Sequence, residues 1–178
     1  KGAHLLYKSL GKKKIDEWLS NVQSEHNEKI PSVEQLLCIQ TIIDRCVKEA
    51  SEQSRNVEYR SEPLRMILHG VPGAGITETL LWIKDFFETV CGWTHGVEFV
   101  YLASQNTMAA LIGGFTIHSF HKLTFQQKDG KAARQKDDKN DMSSVALRYQ
   151  ALRFMFIDEI STVSLDVLAE INARIIVY

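Results

Sequence analysis

A glycine-rich turn between a short apolar run and a helical pattern constrains the fold of this chain more than any other stretch. The run "LRMILHG" enters "GVPGAGIT", and "TETLLWIKDFFETV" then carries apolar residues at helical spacing. The run predicts a buried strand, and the glycines predict a tight turn that returns the chain as a helix packed on that strand. Such a strand–turn–helix unit is typical of α/β proteins.

Further strands and helices alternate after this unit. The segments "VEFVYLAS" and "RFMFIDEIS" predict strands, while "QNTMAALIGG" and "SSVALRYQAL" predict short helices. A final helix is predicted in "SLDVLAEINARI", with Ser164 as its cap. Strands that alternate with helices imply a parallel sheet covered by helices on both faces. The charge-mixed stretch "QQKDGKAARQKDDKND" predicts a solvated loop.

Helices are also predicted upstream of the glycine-rich turn. A stripe of Ile15, Trp18, Leu19 and Val22 predicts a helical extension within residues 1–30, ahead of a main domain spanning 31–178. A stronger helix is predicted in "PSVEQLLCIQTIIDRCVKEA", with an apolar face formed by Val33, Leu36, Leu37, Ile42, Ile43, Cys46 and Val47.

Composition excludes some classes of protein. The 178 residues suit one compact domain, and a net charge of -1 gives no global attraction to nucleic acid, so any such binding must use a local patch. No apolar run approaches the roughly 18 residues of a membrane span. Three cysteines, Cys38, Cys46 and Cys91, give neither a disulfide framework nor a zinc spacing, which fits a reducing, intracellular compartment.

Residues 70–77 fit the pattern G-x-x-x-x-G-x-[ST] of a phosphate-binding loop. Backbone N–H groups curl inward in such a loop, and the next helix adds its positive dipole end. Thr77 would bind Mg²⁺ through its hydroxyl, but Ile76 stands where a lysine usually reaches the outer phosphates. The pattern alone leaves both a nucleotide site and a ligand-free turn open.

An acidic pair follows the last predicted strand. In "FMFIDEIS", a buried strand would present Asp158 and Glu159 at the carboxyl edge of the sheet, where α/β proteins bind ligands. Asp158 would hold Mg²⁺ through water, and Glu159 would orient or deprotonate an attacking water. A solvated acidic turn is the alternative for the pair taken alone.

Polar side chains cluster in a third region and at one helix start. Side chains with hydroxyl, amide or imidazole groups could bind a sugar-phosphate backbone in this region. They belong to Ser104, Asn106, Thr107, Thr116, His118 and Ser119. The alternative for His118 is local capping or packing. Ser32 and Gln35 form a capping box, and Gln35 is also placed to contact an adenine edge.

These segments together resemble the PIF family of superfamily-one DNA helicases, which includes helicases of Helitron-type transposons. The matching segments, in order, are "PSVEQLLCIQTII", "LHGVPGAGITETLL", "ASQNTMAALIGGFTIHSFHKL" and "FMFIDEIST". The T-I-H-S and D-E-I-S pieces are the most diagnostic. The resemblance covers roughly residues 31–175 and implies a RecA-like P-loop NTPase domain.

The resemblance also implies an activity and its residues. It implies ATP hydrolysis with Mg²⁺, coupled to 5′-to-3′ translocation on single-stranded DNA, in a monomer of the nucleus or mitochondrion. Glu159 would activate water, Asp158 and Thr77 would hold Mg²⁺, and Thr107, Thr116, His118 and Ser119 would contact DNA. The ATP-binding set would be Gln35, Gly70, Val71, Pro72, Gly73, Ala74, Gly75, Ile76, Thr77 and Glu78.

Two departures from the family pattern change the expectation for this chain. Ile76 replaces the lysine, so hydrolysis is expected to be deficient. The second RecA-like domain, with its arginine finger, is not in these residues, so the chain alone is not expected to unwind DNA. A helicase fragment, a non-catalytic nucleotide- or DNA-binding remnant, and another P-loop enzyme such as a nucleotide kinase therefore stay open, in that order. The pathway, whether repair, recombination, telomere maintenance or transposition, stays open too.

Overall fold

The computed structural model has a mixed α/β architecture, with a small three-stranded parallel sheet flanked by helices. The chain divides into two compact units between Trp93 and Thr94. Among the described residues, no helix is both long and apolar enough to span a bilayer. The structure describes residues 10–55, 62–121 and 148–177, so the predicted loop at 126–141 lies outside it.

The N-terminal unit is built from helices. Helix α1 spans Lys12–Val22, α2 spans Val33–Ser54, and α3 spans Ile76–Phe86 and continues as a π-helical turn, Phe87–Cys91. Helix α1 packs against α3, because the Trp18 indole donates to the Asp85 carboxylate at 2.7 Å and its ring meets Phe86 edge-on. The predicted stripe of α1 is confirmed at Ile15, Trp18 and Val22, which are buried.

The buried face of α2 differs from the prediction at several positions. Val33, Leu37 and Val47 are exposed, whereas Cys38 and Ile39 lie in the core. The reason is the helical period: a stripe that starts at Ile39 and recurs at the third, fourth and seventh residues falls on one face. Val33, Leu37 and Val47 are apolar, but they lie outside this stripe, so an apolar residue type alone did not predict which face is buried.

The strand predicted from the run "LRMILHG" is wrong for this structure. Residues 62–70 form no strand, and their side chains are exposed, including Ile67 at 83% and Met66 at 42%. The physical reason is the lack of a pairing partner, because the described part of the N-terminal unit contains no other strand. A single strand cannot satisfy its backbone N–H and C=O groups or bury its side chains.

The C-terminal unit contains the sheet. Strands β1 (Phe99–Ala103), β2 (Phe115–Thr116) and β3 (Phe154–Ile157) lie in the order β2-β1-β3, and both neighbouring pairs are parallel. Every residue of the central strand β1 is buried, as its continuous apolar run predicts. The strands predicted in "VEFVYLAS" and "RFMFIDEIS" are therefore confirmed.

Helices follow each strand of the sheet. Helix α4 spans Asn106–Leu111, α5 spans Ile117–His121, and α6 spans Leu165–Val177, while residues 148–151 are helical before β3. The Val167 N–H donates to the Ser164 hydroxyl at 3.4 Å, so the predicted cap of α6 is confirmed. The core between the sheet and the helices is formed by Val100, Leu102, Ile117, Phe120 and Ile171.

Candidate functional site

The glycine-rich turn brings the chain into α3. Gly73 and Gly75 have φ angles of 85° and 75°, a left-handed conformation that residues with side chains rarely adopt. The Ala74 N–H donates to the Val71 carbonyl at 3.0 Å and closes the turn. In the described residues, no side chain caps the N-terminus of α3. Its first-turn N–H groups are therefore left for an anion or for water.

The turn closes tightly around Gly70. A Cβ at Gly70 would lie 2.8 Å from Ala74 Cβ and 3.5 Å from Ile76 Cδ1, so only glycine fits there. The apolar end of Ile76 thus lies against Gly70 and brings neither charge nor hydrogen-bond donor to the loop. The neighbouring Thr77 is exposed. The predicted binding of phosphate by this loop stays a prediction.

Gln35 joins the start of α2 to this loop. Its Oε1 accepts from the Ser32 N–H at 2.8 Å and its own N–H donates to the Ser32 hydroxyl at 3.3 Å, so the predicted capping box is confirmed. Its Nε2 donates to the carbonyls of Ala74 and Gly75, at 3.1 and 3.2 Å. The sequence offered no signal for this second role, because the two segments are far apart in the chain.

The first turn of α3 also carries an ion pair. The Lys29 ammonium pairs with the Glu78 carboxylate, and both side chains keep part of their surface in solvent. Such a pair contributes little to stability. The pair ties residue 29, which no motif in the sequence marks, to the first turn of α3.

The carboxyl ends of all three strands meet at one edge of the sheet, because the strands are parallel. Ser104 follows β1, Ile117 follows β2, and Asp158 follows β3. The ladder continues past β3, since the Asp158 N–H donates to the Leu102 carbonyl at 2.8 Å. The predicted acidic pair and the predicted polar region thus lie at the same edge, where open α/β sheets bind ligands.

Glu159 holds a left-handed backbone conformation. Its φ of 51° is the only positive φ of a non-glycine residue in the described part of the chain. The Glu159 N–H donates to Asp158 Oδ1 at 3.0 Å, and the Glu159 carbonyl accepts from the N–H and hydroxyl of Thr162 at 2.9 and 2.7 Å. Local hydrogen bonds therefore hold a strained residue at the strand end, as is common at functional sites.

A hydroxyl pair ties this turn to the end of β1. The hydroxyls of Ser104 and Thr162 lie 2.6 Å apart, and the Thr162 hydroxyl donates to the Glu159 carbonyl. Thr162 was missed by the sequence analysis, although it directly follows the D-E-I-S letters. Ser104, predicted as a backbone-binding group, is instead engaged with the acidic turn.

The predicted DNA-contact residues organise the start of α5. The Ser119 N–H donates to the Thr116 hydroxyl at 3.2 Å, and the Ser119 hydroxyl donates to the Thr116 carbonyl at 3.0 Å. Both side chains keep some exposure, as does His118. Thr107 is exposed on α4. The local capping role of Thr116 and Ser119 accounts for these two residues without a ligand, and contact with a phosphate backbone stays a prediction.

Arginines secure the far end of α5 around a buried histidine. Arg174 donates to the His121 carbonyl at 2.7 Å, and Arg148 donates to the Phe120 carbonyl at 3.1 Å. His121 is fully buried, with Nδ1 hydrogen-bonded to the Tyr149 hydroxyl. Burial, together with the nearby charges of Arg174 and His118, lowers the pKa of His121 to about 4. The imidazole is therefore neutral at physiological pH.

The residues predicted to hold Mg²⁺ have suitable chemistry. Magnesium binds oxygen ligands, and it often takes only one or two carboxylates together with waters and substrate phosphates. Thr77 carries a hydroxyl oxygen and Asp158 a carboxylate, of which Oδ1 accepts from the Glu159 N–H. Among the described residues, no group of three or more His, Cys, Asp and Glu side chains could hold a metal ion. A magnesium site stays a prediction.

No protein-family model, curated protein or solved structure matches this chain. The functional interpretation therefore depends on the chain's own residues and on the geometry of each unit.

Proposed function

We propose that this chain is the N-terminal RecA-like domain of a PIF-type DNA helicase, which binds ATP and Mg²⁺ weakly and hydrolyses ATP poorly. In the intact motor, ATP hydrolysis would drive movement along single-stranded DNA. Gln35 and residues 70–78 would form the nucleotide side of the site. Thr77 and Asp158 would hold Mg²⁺, which would supply positive charge to the phosphates, and Glu159 would orient the attacking water.

The observation that carries the proposal is the strained turn at Glu159. A buried parallel strand ends in Asp158, and hydrogen bonds then hold Glu159 in a conformation that its residue type disfavours. A merely solvated acidic turn would need no such arrangement. The glycine conformations of the phosphate loop provide independent support, because left-handed residues are typical of turns whose backbone N–H groups bind anions.

A non-catalytic binding module is the second candidate, and Ile76 favours it. The side chain covers Gly70 and supplies no charge to the outer phosphates. Loss of a hydrogen bond to a charged group weakens binding by roughly 1.5–3 kcal/mol, and charge that develops in the transition state makes the loss in rate larger. A chain of this kind would hold nucleotide without turning it over.

Mg-ATP binding to the parent, Ile76→Lys and Ile76→Met chains tests the nucleotide site. Methionine is unbranched and matches the lysine side chain up to its last carbon, without the charged nitrogen, so it controls for repacking around Gly70. We expect Ile76→Lys to bind Mg-ATP roughly 10- to 150-fold more tightly than Ile76→Met. Equal affinities in a titration by calorimetry would overturn the phosphate-loop assignment.

The DNA-contact assignment needs its own experiment. Single-stranded DNA binding is measured across salt concentrations for the parent, Thr116→Ala, Thr116→Ser and His118→Ala. The Thr116 hydroxyl also caps α5. Thr116→Ser keeps this hydroxyl and removes only the methyl group, so it shows whether an effect of Thr116→Ala comes from the hydroxyl. We expect Thr116→Ala and His118→Ala to weaken binding and Thr116→Ser to preserve it. If Thr116→Ala and His118→Ala both bind single-stranded DNA as tightly as the parent, the DNA-contact assignment is wrong.

DNA-stimulated ATP turnover distinguishes the motor from the non-catalytic module. The measurement uses a longer protein with a second motor domain and lysine restored at position 76. Turnover that rises with added single-stranded DNA supports the motor, and its absence supports the binding module.

A further inference from the structure

The side-chain amide of Gln35 is fully engaged without a nucleotide. Its oxygen accepts from the Ser32 N–H, and its nitrogen donates to two carbonyls of the phosphate loop, those of Ala74 and Gly75. The contact is close: a Cβ at Gly75 would lie 2.4 Å from Gln35 Nε2. Any side chain at position 75 would therefore push Gln35 away from the loop.

One of these bonds fixes the direction of an N–H group of the loop. The Gly75 carbonyl also accepts from the Thr79 N–H and hydroxyl, at 3.0 and 3.1 Å, so α3 itself holds it, whereas the Ala74 carbonyl is held by Gln35. In a trans peptide unit, the C=O and the N–H point in opposite directions, and the described chain contains no cis peptide. Because the Ala74 carbonyl points toward Gln35, the Gly75 N–H must point away from it. This N–H lies at the end of the loop, directly before α3, where phosphate would bind.

We infer that Gln35 is a positioning residue that braces the phosphate loop at the Ala74 carbonyl, holding the Gly75 N–H ready for the phosphates. This inference rests on the proposed nucleotide site and assigns Gln35 a task separate from contact with adenine. The brace acts through a backbone carbonyl, so it serves any ligand with a polyphosphate chain, whatever its base. Loss of the brace should weaken binding of the phosphates themselves.

Gln35→Glu separates the brace from the helix cap. A glutamate keeps an oxygen for the Ser32 N–H, because the capping box accepts Glu as well as Gln at this position. It lacks the N–H donors, and its charge repels the carbonyls of Ala74 and Gly75. Ser32→Ala is the matched control, since it removes the hydroxyl of the cap and leaves the Gln35 amide in place.

The binding test uses inorganic tripolyphosphate and Mg-ATP, each titrated into the Ile76→Lys chain with and without Gln35→Glu. We expect Gln35→Glu to weaken both ligands by the same factor, about 5- to 10-fold, and Ser32→Ala to change neither by as much. Weaker ATP binding with unchanged tripolyphosphate binding would overturn the inference, because it would mean that Gln35 serves the base.

A measurement without ligand keeps this result separate from the proposed function. Hydrogen exchange at the Ala74 amide, which donates to Val71 within the turn, reports the shape of the loop. We expect exchange there to accelerate several-fold in Gln35→Glu and to stay near the parent rate in Ser32→Ala. Unchanged exchange in Gln35→Glu overturns the brace. If exchange accelerates and the Ile76→Lys chain binds neither ligand, the brace stands as a structural contact, and both the nucleotide site and Gln35's role in it are overturned.

Discussion

Replacing Glu159 with glycine should stabilise the C-terminal unit while removing the carboxylate proposed to orient water. Glu159 has a φ of 51° and a ψ of 47°, inside the left-handed region. Glycine enters that region without the steric penalty of a Cβ. An exposed acidic residue in an ordinary turn would give no such gain.

The expected magnitude follows from two opposing effects. The left-handed conformation costs a residue with a side chain roughly 1–2 kcal/mol, and Glu159→Gly removes this cost. Glycine has more conformational freedom in the unfolded chain, and this reduces the gain in the free energy of unfolding by about 0.5–1 kcal/mol. The net gain in the free energy of unfolding is then at most about 1.5 kcal/mol, with a midpoint of about 0.75 kcal/mol, which corresponds to roughly 1.5–3 °C in Tm for a protein of this size.

The assay is thermal and urea unfolding followed by far-UV circular dichroism. Tryptophan fluorescence is unsuitable, because Trp18, Trp82 and Trp93 all belong to the N-terminal unit. Glu159→Ala removes the carboxylate and keeps the strain, so it should show no comparable gain. Ala169→Gly, at an exposed position within α6, should lose about 1 kcal/mol. A Glu159→Gly chain less stable than the Glu159→Ala chain would refute the strain argument.

Two further predictions follow from buried titratable groups. Because burial lowers the pKa of His121 from 6.5 to about 4, the unfolded chain binds a proton first as pH falls. The free energy of unfolding should therefore decrease as the pH falls from about 6.5 to about 4. His121→Gln should remove up to roughly 3 kcal/mol of this decrease. If the parent and His121→Gln chains give superimposable pH profiles in urea titrations, the prediction is wrong. Cys38, Cys46 and Cys91 are buried, and the hydrogen bond with the Cys91 thiol, together with burial, raises the pKa of Cys46. An aromatic disulfide reagent should thus label them no faster than the chain opens, and rapid labelling of the folded protein would show that they are accessible.

The sequence predicted the elements whose pattern is local. The strands β1 and β3 are continuous apolar runs, and α2 and α6 begin at recognisable caps, so each could be located from neighbouring residues alone. The run at residues 64–70 carries the same local pattern and forms no strand, because a strand also needs a partner. Pairing is a property of distant residues, and hydrophobic pattern does not encode it.

The candidate site shows the same limit at the level of side chains. Residue type identified Glu159 and Gln35 as candidates for chemistry, but nothing in the letters indicates that Glu159 is strained or that Gln35 bonds to loop carbonyls. Lys29 and Thr162 escaped notice altogether, since each acts only through a partner that the fold supplies. Motifs identify groups that can react, and tertiary contacts decide how these groups are held.

In the proposed phosphate loop, the backbone conformation and the charge are set by different residues, and this decides what Ile76 changes. The left-handed conformations belong to Gly73 and Gly75, the Ala74 carbonyl is held by Gln35, and the Gly75 carbonyl is held by Gln35 and Thr79. No side-chain atom of position 76 takes part in these contacts. Ile76 itself lies against Gly70, a contact that the aliphatic stem of a lysine can also make. Ile76→Lys should therefore add charge to a preformed loop and leave the free energy of unfolding within about 0.5 kcal/mol of the parent, as expected for a surface substitution. A large loss of stability in that variant would mean that the loop had been rebuilt around isoleucine.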